Sequence, residues 1–277
     1  MHAIHYNPVR DEIVVPNQFA QAILTFRGDA NGEEPPIRII QGDRTQLEGS
    51  SGVVIDTKHN EIIMEEYVFP IDANGNVPPS RTLPFSVDAV DIDNDLYISA
   101  SGGRAGTELR IFDRNSDSDQ PLRVITGPKT MLISPSRIRV HNGWIVVAHD
   151  GVQASNPNNL SFVGIWSVND EGDVPPRWSY GGPHQMLDKP RGVDIDPRNQ
   201  TIIVTDKTLN AVLTYHAPEI FRTPGTETRR TGDSTPVADR NPSAEPVEAL
   251  WRRLTDWLWA DGSRAVPQAA SESRPSG

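Results

Sequence analysis

The sequence predicts an all-β chain made of small repeated sheets, and three observations carry that expectation. One polar turn is written several times: "DANGEEPPIRII" from Asp29, "DANGNVPPSRTL" from Asp72, "DRNSDSDQPLRVITG" from Asp113 and "DEGDVPPRWSYGG" from Asp170. The first copies stand roughly 40 residues apart, and the step to Asp170 is longer because a polar insertion, "DGVQASNPNNLS", occupies 150–161. Between the turns lie short apolar and β-branched runs bounded by Asn, Asp, Gly and Pro, which are strand signals. Pro and Gly are abundant, at 24 and 21 residues, as an all-β fold with many turns requires. A unit of about 40 residues with four short strands is the mark of a β-propeller blade. One such sheet cannot bury both of its faces, so blades must stack around an axis.

The elements follow in order. Blade one reads "AIHYNPVRDEIVV" and "AILTFRGDANGEEPPIRII", and it aligns without a gap on blade two from Ala3/Gly52 to Glu12/Glu61. Blade two reads "GVVID", "NEIIM", "YVF" and "SRTL"; blade three reads "AVDIDNDLYIS", "ELRIF" and "LRVITG". Blade four reads "RIRVHNGWIVVA", "FVGIWSV" and "RWSYGG", and blade five reads "GVDID", "NQTIIVTD" and "NAVLTY" from Arg191 to His216, without a clear outer strand. The Asp-Ala-Asn-Gly turn supplies the positive φ that a tight turn needs, and it is expected to join the third strand of each blade to its fourth. The proline pair then opens the fourth strand at an edge that tolerates it.

Charge and composition exclude several function classes. The net charge is −11, and the eight Arg and eight acidic residues from 222 onward cancel, so the propeller body carries all of it. A body this acidic repels phosphate backbones, which argues against nucleic acid as a partner. Hydrophobic residues make up 36% and no run has the length of a spanning helix. No cysteine is present, which removes disulfides, thiolate zinc sites and thiol nucleophiles. The opening "MHAIHYNPVRDE" lacks the basic-then-apolar profile of an export signal. No Gly-x-Ser-x-Gly elbow, phosphate loop or dinucleotide fingerprint occurs.

The segments "SGVVID", "RGVDID", "NGWIVVAHD" and "NQTIIVTD", with the phrases "GDRTQL", "GPKTML" and "GPHQML" between blades, resemble NHL-type repeats. Those belong to the six-bladed propeller superfamily that includes gluconolactonase-like and regucalcin-like proteins. The resemblance covers 2–221 and implies six blades, of which five are visible. It spans interaction platforms, RNA binders, lyases and metal-dependent lactonases, so it implies no single activity. Three expectations follow for the sixth position: the tail after Phe221 supplies a strand, the ring stays open or closes through a second chain, or the true start lies upstream of Met1. The last is favoured, and it would place a blade and an export signal, hence an extracytoplasmic location, before the present start.

Candidate ligand positions gather at the inner strands. Blade alignment puts Asn7, Asp56, Asp93, His141 and Asp196 at one place, with His5, Val54, Asp91, Arg139 and Asp194 two residues earlier on the same strand face. Converging carboxylates with a His could hold a divalent cation or polarise a carbonyl. The competing expectation is that each Asp caps the turn that follows it. Without cysteine a zinc site needs three His or carboxylate ligands meeting in space. Among His141, His149, Asp150 and His184, the first two stand on different strands of one hairpin and a third ligand is unassigned, so satisfied surface histidines are the competing expectation. The "DANG" turns lack the later carboxylate of a calcium loop, having Ser80 and Leu83 or Ile37 and Ile40 there.

After the propeller, 222–244 reads as a disordered linker. The stretch "EPVEALWRRLTDWLWADG", 245–262, reads as an amphipathic helix with Val247, Leu250, Trp251, Leu254, Trp257 and Leu258 on one stripe, and 263–277 reads as a disordered tail. So short a helix must dock, on its own propeller or in a partner groove; Trp251, Trp257, Trp259, Leu254 and Arg252 are the candidate partner contacts. The expected function is a non-catalytic scaffold that binds a protein, peptide or polymer. The alternative is a divalent-metal-dependent lactonase or esterase built on the channel-end carboxylates and His141.

Overall fold

Five antiparallel sheets follow one another along the chain, each made of consecutive strands in the order in which they are written. The computed structural model describes residues 3–49, 52–101, 107–132, 134–150, 161–181, 186–222 and 224–226. Blade one comprises β1 (His5–Asn7), β2 (Glu12–Asn17), β3 (Ala22–Arg27) and β4 (Arg38–Gln41). Blade two comprises β5 (Val54–Asp56), β6 (Glu61–Met64), β7 (Tyr67–Pro70) and β8 (Arg81–Thr82). Blade three holds β9 (Ala89–Asp91), β10 (Leu96–Ser101), β11 (Glu108–Asp113) and β12 (Arg123–Ile125). Blade four holds β13 (Pro135–His141), β14 (Trp144–His149), β15 (Phe162–Ser167) and β16 (Trp178–Gly181). Blade five has three described strands, β17 (Pro190–Asp196), β18 (Thr201–Asp206) and β19 (Ala211–His216), and a short helix α1 (Glu219–Arg222) follows. The chain is an all-β, five-bladed propeller, and the first strands of consecutive blades lie side by side at the hub, β1 by β5, β5 by β9, β9 by β13 and β13 by β17.

Each blade carries the same apolar triad across its first three strands. The cross-strand partners are Tyr6–Ile13–Phe26, Ile55–Ile62–Phe69, Val90–Tyr97–Phe112, Val140–Ile145–Trp166 and Ile195–Ile202–Tyr215. In blades two to five the triad packs under the preceding blade. Ile55, Ile62 and Phe69 lie against Val14, Ile23 and Ile40 of blade one. Val90, Tyr97 and Phe112 lie against Val54, Ile63 and Val68. Trp166 and Ile145 lie against Ile98 and Ile111, and Ile202 and Tyr215 against Val146 and Val163. The period of two gives every blade one triad face and one aliphatic face, and the stack joins unlike faces. This is the physical content of the repeat: burial between blades, not within them, supplies the core.

The recurring turn occupies the predicted place, between the third and fourth strands, and it has a second task. Gly75 donates its N–H to the Ile39 carbonyl at 2.6 Å and accepts from Gln41 N at 3.2 Å, while Asn74 Oδ1 accepts from Ile39 N at 2.9 Å. The turn of blade two therefore seals the outer edge of β4 in blade one through a parallel bridge. Gly172 does the same for blade three, donating to Val124 O at 2.7 Å and accepting from Thr126 N at 3.1 Å. Both glycines have positive φ, +83° and +73°, which only glycine adopts without strain. Next to each seal, Asn76 Oδ1 accepts from Arg44 N and Asp173 Oδ1 from Lys129 N, tying down the 3-10 turns of "GDRTQL" and "GPKTML". An edge strand left bare invites pairing with other chains, and these turns cover it.

The described residues of 217–226 add no strand to blade five. Ile220 and Phe221 join the apolar core between blades four and five, Gly225 N donates to Asn142 O at 2.6 Å, and Ser167 Oγ donates to Gly225 O. The last described residues thus lie against the Asn142–Gly143 turn and Ser167 of blade four. Among the described residues β19 has no outer partner, and no helix is long and apolar enough to cross a membrane. The stretch at 245–262, the loop at 151–160 and His184 lie outside the described residues.

Candidate functional site

The inner-strand carboxylates cap turns. Asp56 Oδ1 accepts from Lys58 N and His59 N, Asp91 Oδ1 from Asp93 N and Asn94 N, Asp196 Oδ1 from Arg198 N and Asn199 N, and Asn7 Oδ1 from Val9 N and Arg10 N. Each is a four-residue turn closed by a left-handed residue: Asp11, Asn60, Asp95 and Gln200. These local bonds explain why Asx residues stand there. The register corrects the sequence alignment at blade three. Asp91 pairs with Leu96 as Asp56 pairs with Glu61, so Asp91, not Asp93, is the equivalent of Asp56 and Asp196, and Ala89 stands two residues before it. The slip arose because "DIDND" offers three Asp in one turn, and a sequence repeat cannot choose among them. Blade four departs as well: a two-residue Asn142-Gly143 turn leaves His141 opposite Trp144, its ring tilted against that of Phe221 instead of capping.

The candidates therefore occupy several places. His141 lies in the field of Asp91 and Asp93 of the neighbouring blade, with burial pushing its pKa down. His149 is fully buried at the far end of the same hairpin, where Nε2 accepts from Ser134 N at 3.1 Å and the ring meets Phe162. Asp150 pairs with Arg191 at 3.3 Å. Among the described residues no three His, Asp or Glu side chains are grouped as a metal would need.

The hub carries its own electrostatics. Arg139 Nε donates to Asp194 Oδ1 at 3.3 Å, and its Nη2 reaches the Ile4 carbonyl at 3.5 Å, so blade four touches both blade five and blade one across the axis. His5 Nδ1 accepts from Ile55 N at 3.1 Å. Burial, then the Arg139 charge, pushes His5 down to about 4, against the opposing pull of Asp194. Burial also pushes Asp88 up and Arg137 down. Arg139 and Asp194 pair at the hub, and burial keeps the nearby His5 neutral.

A pH dependence follows. The unfolded imidazole takes its proton near pH 6.5 and the native one only near 4, so stability is complete above the first value and falls as pH drops towards the second. Between pH 7 and pH 5 the loss is at most about 2 kcal/mol. Urea midpoints of the protein and of His5→Gln are expected to diverge at pH 7 and converge at pH 5; parallel curves would remove His5 as the cause.

The residues that sequence reading passed over lie on the open side of blade one. Among the described residues its triad, Tyr6, Ile13 and Phe26, has no blade packed upon it: Tyr6 is 51% exposed, where its equivalent Ile55 is 2% exposed, and Ile13 and Phe26 are half-buried. Leu24 and Ile39 continue the same face outward, and Ile39 is 37% exposed. Blade five, the next blade round the ring, turns Asp194, Ile203, Thr205, Val212 and Thr214 towards this side. That face is mostly polar, and no apolar cluster among the described residues joins it to blade one. The Asp29–Gly32 turn completes the pattern. Gly32 has the positive φ of Gly75, yet among the described residues nothing pairs with its backbone as Ile39 and Gln41 pair with Gly75. Alignment of Tyr6 on Ile55 and of Ile13 on Ile62 was present in the gap-free match of blades one and two; which neighbour was missing was not.

No family model matches the chain, and no curated protein matches it. Among solved structures, the crystal structure of the WD40 β-propeller domain of Doa1 is similar, with a TM-score of 0.42 and 14% identity, over 76% of this chain and 77% of that one.

Proposed function

We propose that the chain is a non-catalytic protein-interaction platform of NHL type, and that its docking surface is the open seam at blade one. The observation that carries this is the exposed triad Tyr6–Ile13–Phe26, in a molecule that packs the same triad against a preceding blade in its other four blades. An apolar sheet face of this kind on a rigid scaffold is an interaction surface by its chemistry. The partner it fits is a protein that brings an aliphatic sheet face ending in an edge strand, because that is what blade two receives from blade one. Apolar contact would supply the affinity, and the Asp29–Gly32 turn would take the strand edge as Gly75 takes Ile39.

The test uses the full chain with a photo-cross-linking residue at position 39, in cell extract, beside Tyr6→Glu and Ile39→Glu variants. Cross-linked proteins lost in both variants, whose melting temperatures stay within about 2 °C of the parent, are the expected result. A captured set that ignores both substitutions would overturn the proposal.

A further inference from the structure

The sequence carries a second apolar stripe beyond the described residues, separated from them by 227–244. The stretch 245–262 places Val247, Leu250, Trp251, Leu254, Trp257 and Leu258 at helical spacing. A lone helix of that length is marginal in water and needs a surface to bury its stripe. The described chain ends at Thr226, fixed to blade four by the Gly225–Asn142 and Ser167–Gly225 bonds. From there 227–244 spans up to about 60 Å when extended, more than the width of a globule whose radius of gyration is about 19 Å. Blade one is two steps round the ring from blade four, with only blade five between.

We infer that the Trp-rich stretch 245–262 docks in cis on the uncovered triad face of blade one, with Leu254 and its neighbours against Tyr6, Phe26 and Ile39. Two observations choose this occupant over others. Blade five cannot serve, because its facing side is polar. A tethered segment meets the face at an effective concentration in the millimolar range, which a separate partner must exceed. The consequence rests on the function proposed above: the stretch shields the seam until a partner that binds the same face displaces it, so access to the platform is set by the tail. A partner would then bind more tightly once the tail is disabled.

The absence of cysteine makes the test direct, since introduced thiols would be the only ones. Full-length Ile39→Cys/Leu254→Cys is treated with a short bis-maleimide, beside Leu122→Cys/Leu254→Cys, whose first thiol sits on the exposed rim of blade three. Intramolecular linkage at least tenfold faster for the blade-one pair is expected, and Trp251→Asp/Trp257→Asp added to that pair is expected to abolish the difference. Equal rates for the two pairs, or linkage between molecules in place of within them, would overturn cis docking; the latter would assign the face to a second copy. The capture experiment separates the two proposals. Preferential linkage with capture that ignores Tyr6→Glu leaves the docking and removes the platform. Capture that depends on Tyr6, with no preferential linkage, does the reverse.

Discussion

Phe69→Ala is expected to destabilise the propeller by about 4 kcal/mol, and Phe26→Ala, at the same place one blade earlier, by about 1 kcal/mol. The two residues are equivalent by register, each the third-strand member of its triad. Phe69 is fully buried under blade one, and truncation leaves a cavity lined by Val14, Ile23, Ile40 and Ile62 that rigid strands cannot close. Phe26 is half-buried, and the alanine would leave open surface instead of a void. In a domain of this size, 4 kcal/mol lowers the melting temperature by roughly 10 °C. Thermal unfolding of both variants measures the difference. Similar shifts would mean that something covers Phe26 as fully as blade one covers Phe69, and the Trp251→Asp/Trp257→Asp background would then show whether the tail is that cover.

Arg114→Ala is expected to cost about 3 kcal/mol through charge rather than volume. Arg114 projects from the turn of blade three into blade two, where Nε meets Asp56 Oδ2 at 3.1 Å and Nη2 meets Glu61 Oε2 at 2.7 Å. Asp56 is fully buried, and the guanidinium also lies over the Tyr97 ring. Removal of the arginine strands a buried carboxylate that has lost its counter-charge. Asp56→Asn keeps the oxygen that caps Lys58 N and His59 N and removes the charge, so Arg114→Ala in that background is expected to cost distinctly less. A double-mutant cycle on urea midpoints gives the coupling. Strict additivity would show that Arg114 acts by packing alone.

The architecture was legible because it rests on local rules that repeat. Turn residues, β-branched runs and a period near 40 each pointed to blades, and the Asx caps at Asp56 and Asp196 follow from the two or three residues after them. The relation between blades was less so. Arg114 reaches back to Asp56 across 58 positions, and no spacing rule announces such a contact. The seam was hidden for a related reason: Ile13 and Phe26 look like ordinary core residues, and their exposure depends on a neighbour, not on their own sequence. The slip at Asp93 shows the limit from the other side, since a run of alternating Asp residues fits a strand end in two registers and only pairing decides.

The edge-sealing turns have a further consequence for solubility. An array in which blade two grips the rim of blade one, and blade four that of blade three, has two unlike ends: an apolar face on blade one, and on blade five β19, which has no outer strand among the described residues. Such ends, when they match, let copies add head to tail without closing, and open filaments result. Here they are kept from matching. The terminal sheet offers threonines and Asp194 where an aliphatic surface would be required, and a surplus of eleven negative charges adds long-range repulsion between copies. Polymerisation is opposed at the one joint where the repeat would otherwise invite it.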